Sequence, residues 1–340
     1  MGRVATAGLT ATMTLVVVAC TAPGTTQRTE PAGPGTTTPA ATVTGATPTG
    51  PTASSVPTPT RRSSDSASPT ARPDASFDAT AAMSDVRLLA GRIGPRLATG
   101  PGFRRAGRVV ERRLSDLGYD VRRESFAVPA GDSWGVPVRA GRSFNVVAEP
   151  PGFDPSRPHV VLGAHLDTVA VAPGAEDNAS GVAVLLELAR LVSEAGHDTR
   201  LPAVLIAFGA EEPRGSGDDL HHFGSQHHVR ELPRSRRAAL RAMVSLDRVG
   251  VGSVVPVCTG PLSRPGAQQA LLRAAARVGV PTTRCENTAS DHWSFEKAGV
   301  TVARLGSTSY AAYHSDRDVP AVVDRAQLDR TGRLTWAWLR

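Results

Sequence analysis

Apolar residues fall into three regimes along the 340-residue chain. Over residues 1–20, Arg3 precedes a short apolar run ending in Val17-Val18-Ala19-Cys20. That run is too short to stay as a membrane span and has the shape of a signal peptide. Residues 21–76 are mostly Thr, Pro, Ser, Ala and Gly. Such a stretch buries too little to offset the entropy of ordering and is expected to be a disordered tether. Extended at about 3.1 Å per residue, it would reach on the order of 150 Å. From Phe77 onward the apolar pattern becomes that of a folded domain, 77–340. Helical spacing predicts helices over Asp78–Ala90 and Gly102–Leu117, the second closed by Gly118. Apolar runs predict strands at Tyr119–Val128, Ser143–Ala148, His159–Ala164, Leu201–Phe208, Ala242–Leu246, Ser253–Val257, Thr282–Cys285 and Val300–Leu305. Between them lie helices over Ala179–Ala195, a stretch ending in Arg230, Leu262–Val278 and Ser290–Ala298, with a last helix from Pro320. Strands alternating with helices argue for an α/β domain whose largely parallel sheet is covered on both faces.

In such sheets the site lies beyond the carboxyl ends of the strands, and there acids and histidines collect. The run HVVLGA ends in His165-Leu166-Asp167. Alternation puts His165 and Asp167 on one side, as a metal ligand and the carboxylate that fixes its tautomer. Asp177, in GAEDNASG, stands where an N-cap would, and in isolation reads as a plain helix cap; a carboxylate projecting from that loop beside a His ligand could instead bridge two cations. Glu211-Glu212 close the next buried run, where like charges repel and each acid needs a partner. One can bind metal while the other faces water. AMVSL ends in Asp247, and the loop TSYAAYHSDRD supplies His314. The candidate metal set is therefore His165, Asp177, Glu212, Asp247 and His314, with Glu211 as the spare acid. Imidazole with carboxylate suits Zn²⁺, and Mn²⁺ or Co²⁺ can substitute.

Formal charge of +7 raises the question of a nucleic-acid partner. The cations are almost all scattered Arg, with Lys297 the single lysine, and no basic helix with interleaved aromatics appears, so that class is excluded. Three cysteines remain. Cys258 and Cys285 are either a bridge in an exported protein or two separate thiols. Cys20 ends a run resembling a bacterial lipobox, which would anchor the protein by lipid to the outer face of the cell membrane. Simple cleavage would release it instead.

Taken in order, AHLDTV, GAEDNASGVAVLLELA, FGAEE, SLDRVG, SDHWSF and YHSDRD resemble metallopeptidase family 28, the secreted bacterial di-zinc aminopeptidases and their relatives. The likeness runs from about residue 85 to the C-terminus. It implies a three-layer α/β/α sandwich around a mixed, mostly parallel sheet, two Zn²⁺ ions per chain, peptide substrates and a monomer. By analogy His165, Asp177 and Asp247 bind one zinc, and Asp177, Glu212 and His314 the other. Glu211 matches the general base, Asp167 the orienter of His165, and Tyr313 a residue that steadies the oxyanion. One departure stands out: PRGSGDDLHHF intervenes between Glu212 and Gly224, where family aminopeptidases have a shorter gap. Its side-chain preference therefore does not transfer. Neighbouring histidines such as His221, His222, His227 and His228 rarely converge on one ion. The resemblance also reaches glutaminyl cyclases, which typically use one zinc and also have a long gap; five retained ligand positions favour two metals and hydrolysis. A two-domain carboxypeptidase would need a mid-chain lid that no segment supplies. A non-catalytic peptide-binding lipoprotein would have to bury several carboxylates without compensation.

Overall fold

The computed structural model describes residues 76–262 and 264–340. The expected signal peptide, Cys20 with its lipobox, and residues 21–75 of the expected tether lie outside them. In chain order the elements are α1 (Ala79–Val86), α2 (Pro101–Asp116), β1 (Asp120–Val128), β2 (Gly131–Asp132), β3 (Pro137–Val138), β4 (Gly141–Glu149) and β5 (His159–His165). Then follow α3 (Ser180–Glu194), β6 (Ala203–Phe208), α4 (Phe223–Glu231), α5 (Arg234–Ala239), β7 (Leu240–Asp247) and β8 (Val255–Thr259). The chain ends with α6 (Gly266–Arg277), β9 (Thr282–Glu286), α7 (His292–Lys297), β10 (Val302–Gly306) and α8 (Arg325–Leu339). Asp78 caps α1 by accepting from the amides of Thr80 and Ala81. Helix α6 begins at Gly266 rather than Leu262, with Pro265 as its N-cap, because the proline ring disfavours helical backbone at the preceding Arg264. The β2–β3 ribbon and α5 are too short to leave a periodic signature.

Eight strands form one sheet in the order β1-β4-β6-β5-β7-β10-β8-β9. Strands β6, β5, β7 and β10 run parallel, while β4 is antiparallel to β6 and β8 to β10, so the sheet is mixed. Period-2 alternation distributes each strand between two cores. Leu162, Leu205, Val244 and Leu305 pack with α1, α2, α3, α6 and α8. Val161, Val204, Ile206 and Met243 pack on the other face with Val229 of α4 and Phe295 of α7. The molecule is thus a three-layer α/β/α sandwich. Cys258 and Cys285 occupy paired positions on β8 and β9 and form a disulfide. The bridge is the reading that holds for these two residues. No helix among the described residues is long and apolar enough to cross a membrane.

Strand β5 is the point at which the strand order reverses, with β6 on one side of it and β7 on the other. Loops leaving β5, β6 and β7 therefore diverge and open a crevice above their carboxyl ends.

Candidate metal centre

The loop after β5 is braced before it meets any ligand. Arg96, fully buried, donates five hydrogen bonds to backbone carbonyls: Nε to Leu166 (2.8 Å), Nη1 to Leu89, Gly94 and Pro173 (3.1, 3.2 and 2.6 Å), and Nη2 to Gly174 (2.8 Å). Asp318 accepts from the amides of Glu176 (2.9 Å) and Asp177 (3.1 Å), and from the Tyr310 hydroxyl (3.0 Å). The Glu176 carboxylate accepts from the amides of Gly250 and Val251. Asp177 does not cap α3. The N-cap is Ala179, and the preceding Asn178 meets the first turn: its Oδ1 accepts from Gly181 (3.0 Å) and Arg248 (3.2 Å) and its Nδ2 donates to the Leu246 carbonyl (2.9 Å). These bonds leave the Asp177 side chain free to face the crevice.

There it stands between two histidines far apart in the chain, His165 at the end of β5 and His314 in the loop after β10. Asp177 Oδ1 lies 3.1 Å from His165 Nε2, and Oδ2 lies 3.2 Å from His314 Nε2. Glu212 Oε2 is 3.2 Å from His314 Nε2, and Asp247 Oδ1 is 3.6 Å from His165 Nε2. Two tetrahedral Zn²⁺ bonds of about 2.0 Å would put their donor atoms about 3.3 Å apart. The observed spacings bracket that value. Glu212 Oε1 and Asp247 Oδ1 are buried without a hydrogen-bond partner, as atoms reserved for a cation would be. The donors fit divalent-cation binding, and His165, Asp177 and Glu212 form one group whose donor atoms lie within 4.8 Å of one another.

Electrostatics make the same demand. Burial opposes charge on His314, yet the Glu212 and Asp177 carboxylates hold its imidazole protonated, up to about 10. Burial and the Asp177 charge push Glu212 up to about 7. For Asp247, burial is outweighed by Arg304, whose guanidinium lies 3.0 Å from Oδ2, and its carboxyl stays well below the usual range. The cluster is short of positive charge and holds protons that a divalent cation would displace.

Asp167 is fully buried beside His165, but its carboxylate is 3.9 Å from Nδ1; the Asp167 backbone carbonyl, at 3.2 Å, accepts that N–H. The carboxylate instead accepts the amides of Glu211 (3.1 Å) and Glu212 (3.2 Å), fixing where both acids emerge from β6. Glu211 lies in a group with His165 and Asp247 whose donor atoms fall within 4.8 Å of one another. His222, from the segment after the acid pair, reaches back to place Nε2 3.2 Å from Glu211 Oε1. The four histidines of this region do not converge: His221 faces the Gly215 carbonyl, His228 bonds Glu124, and His227 packs near Phe126. Asp291, from SDHWSF, is fully buried near this network.

A cavity of about 380 Å³ opens over these side chains, walled by Trp134, Asp218, Arg248 and Tyr313 among others. Tyr313 stacks on His314 (centroids 3.7 Å apart), and Trp134 meets His314 edge-on at 4.3 Å. The walls are tied together. The Asp132 amide donates to the Arg214 carbonyl (3.0 Å), and a Cβ on Gly131 would fall 2.0 Å from that oxygen. The Ala170 amide donates to Ser133 Oγ (3.0 Å), while Asp218 is held by Lys297 and by Trp293 Nε1. Trp134, Ala210, His222, Arg248 and His314 all adopt left-handed φ between 53° and 57°. Such backbone costs on the order of 1–3 kcal/mol per residue and gathers at functional sites. Arg96, Asn178, Arg248 and Arg304 do not stand out in the sequence as site residues, and His222 does so only as one of the clustered histidines. Only His222, in the segment already marked as unusual, carried a signal.

The family model described as Peptidase family M28 matches residues 145–339. Among curated relatives, the leupeptin-inactivating enzyme 1 of Streptomyces exfoliatus is 28% identical over 272 residues, 73% of this chain and 57% of that one. The chain spans about half the length of the curated relatives it matches. In fold it is similar to a zinc aminopeptidase from Bacillus subtilis, with a TM-score of 0.68 and 19% identity over 78% of this chain and 95% of that one. It is also similar to the Porphyromonas gingivalis glutaminyl cyclase, with a TM-score of 0.66 and 24% identity over 77% and 98% of the two chains.

Proposed function

Because the chain belongs to peptidase family M28, we propose that it is a zinc-dependent exopeptidase with two co-catalytic ions, an aminopeptidase that removes N-terminal residues from peptides. The observation that carries this reading is Asp177 presenting one oxygen to His165 and the other to His314. A carboxylate so placed, with Asp247 and Glu212 outside it, suits two ions rather than one. His165, Asp177 and Asp247 would hold the first, and Asp177, Glu212 and His314 the second.

Bound zinc supplies a Lewis acid toward the scissile carbonyl and a water that ionises near neutral pH. Glu211 is the base: its carboxylate takes the proton of the attacking water and delivers it to the leaving amine. His222 orients Glu211 through Oε1. Asp167 fixes both acids by their amides, and Tyr313, stacked on His314, would steady the developing oxyanion. The disulfide fits an oxidising compartment, in keeping with export, either anchored through a lipid on Cys20 or released.

Glutaminyl cyclization is the second reading, favoured by one observation: Arg304 occupies Asp247 Oδ2, leaving that ligand a single free oxygen. Metal analysis of the purified protein, with assays on aminoacyl-nitroanilides and on a Gln-terminal peptide with and without chelator, separates the two. Two equivalents of zinc and chelator-sensitive release of nitroaniline are expected. One equivalent with ring closure, or turnover that ignores the chelator, would reject the aminopeptidase.

A further inference from the structure

The wall of the cavity contains a cation that the chemistry above does not use. We infer that Arg248 receives a substrate carboxylate next to the scissile bond, so that the enzyme prefers peptides that bring an anionic group into this cavity. The inference deepens, and rests on, the two-ion peptidase reading.

Two guanidiniums line the cavity, and they differ in kind. Arg304 is buried and engaged: Nη2 with Asp247 Oδ2 (3.0 Å), Nη1 with Asn287 Oδ1 (3.2 Å) and the Ala289 carbonyl (2.5 Å). Arg248 is held by its backbone instead. It follows Asp247 in a left-handed conformation (φ 57°), its amide donating to Asn178 Oδ1 (3.2 Å) and its carbonyl accepting from Ser307 (3.2 Å). Its guanidinium lies over the Tyr313 ring, 4.6 Å from the centroid. The side chain is only 15% exposed, and its nearest acid oxygen is Asp247 Oδ1, at 3.9 Å from Nε. It makes no side-chain hydrogen bond among the described residues. A planar fork of donors, pre-set by a pinned backbone and an aromatic platform, matches a carboxylate.

Charge balance points the same way. Two divalent ions would match the four carboxylates Asp177, Glu211, Glu212 and Asp247. Asp218, the remaining acid on the wall, is paired with Lys297. The loaded cavity is then net positive through Arg248 and Arg304, and it draws in anionic substrates. The carboxylate has two possible sources: the side chain of an N-terminal Asp or Glu, or the free C-terminus of a dipeptide.

The experiment uses the zinc-loaded full chain and two isosteric pairs, glutamyl- against glutaminyl-p-nitroanilide and Leu-Ala against Leu-Ala-amide. In at least one pair the carboxylate member should have a kcat/KM at least tenfold higher, and which pair does so identifies the source. In Arg248→Met this ratio should fall below about twofold, and Arg248→Lys should retain part of it. Equal rates within both pairs, or a preference that survives Arg248→Met, would overturn the inference. Calorimetric binding of the same four compounds to zinc-loaded Glu211→Gln gives the comparison without turnover. Carboxylate-selective, Arg248-dependent binding without hydrolysis would uphold this site and defeat the peptidase reading; hydrolysis without selectivity would do the reverse.

Discussion

Replacing Arg96 by Met tests whether the metal loop is held from behind. The substitution keeps much of the side-chain length and removes all five donors to Leu89, Gly94, Leu166, Pro173 and Gly174. Each hydrogen bond from a charged group contributes about 1.5–3 kcal/mol net, so the low end alone gives about 7 kcal/mol. Against this, burial draws the guanidinium from 12.5 down to about 10, and the variant is relieved of that penalty, about 3 kcal/mol. The balance is a loss of about 4 kcal/mol, within the range for removing one member of a buried charged network. For a domain of this size that lowers Tm by roughly 10 °C. Because two of the bonds end on the carbonyls of Pro173 and Gly174, at the start of the turn that carries Asp177, zinc content should fall as well. Differential scanning calorimetry and metal analysis of the same preparation read both. A Tm within about 3 °C of the parent, with full zinc, would refute the bracing role.

Glu211→Gln should keep its zinc and lose activity by about 10²–10⁴-fold, checked by kcat on a nitroanilide alongside metal analysis. Asp177→Asn should fall below one zinc per chain by the same analysis, since it weakens the shared ligand. At Glu124, burial would raise the carboxyl, but His228 and Arg122 overcome it and draw it from 4.5 to about 2. That contribution, on the order of 3 kcal/mol, is complete above pH 4.5 and disappears as pH falls toward 2. Urea unfolding at pH 7, 4 and 3 should therefore show a shallower acid loss in Glu124→Gln. Joint replacement of Cys258 and Cys285 by Ser opens a crosslink spanning 27 residues; the loop-entropy cost is at most about 3.5 kcal/mol, visible as a drop in urea midpoint.

The layers and strand ends were legible because β5, β6 and β7 are dominated by apolar residues and are closed by His165, Glu211 and Asp247 at or just past their carboxyl ends. A buried strand cannot carry a bare acid inward, so the first charges past its end mark the crevice. Asp167 shows where alternation stops helping. It lies beyond the last paired residue of β5, where the backbone is no longer extended on a ladder, so its carbonyl rather than its carboxylate meets His165. Arg96 left no trace because its five acceptors are backbone atoms, which have the same identity in any sequence. The disulfide needed the register of β8 against β9, which composition does not contain.

The junction of Gly131 with Arg214 has a consequence for how this protein can be altered. The ribbon bearing Trp134 and the 213–222 segment share a seam with no room for even a methyl group, so neither can be reshaped while the other stays as it is. Grafting a shorter segment from another peptidase would strip support from the tryptophan, and a new ribbon would collide with the Arg214 carbonyl. On the peptidase reading the two loops shape the cavity as a matched pair, and altering it means exchanging both at once.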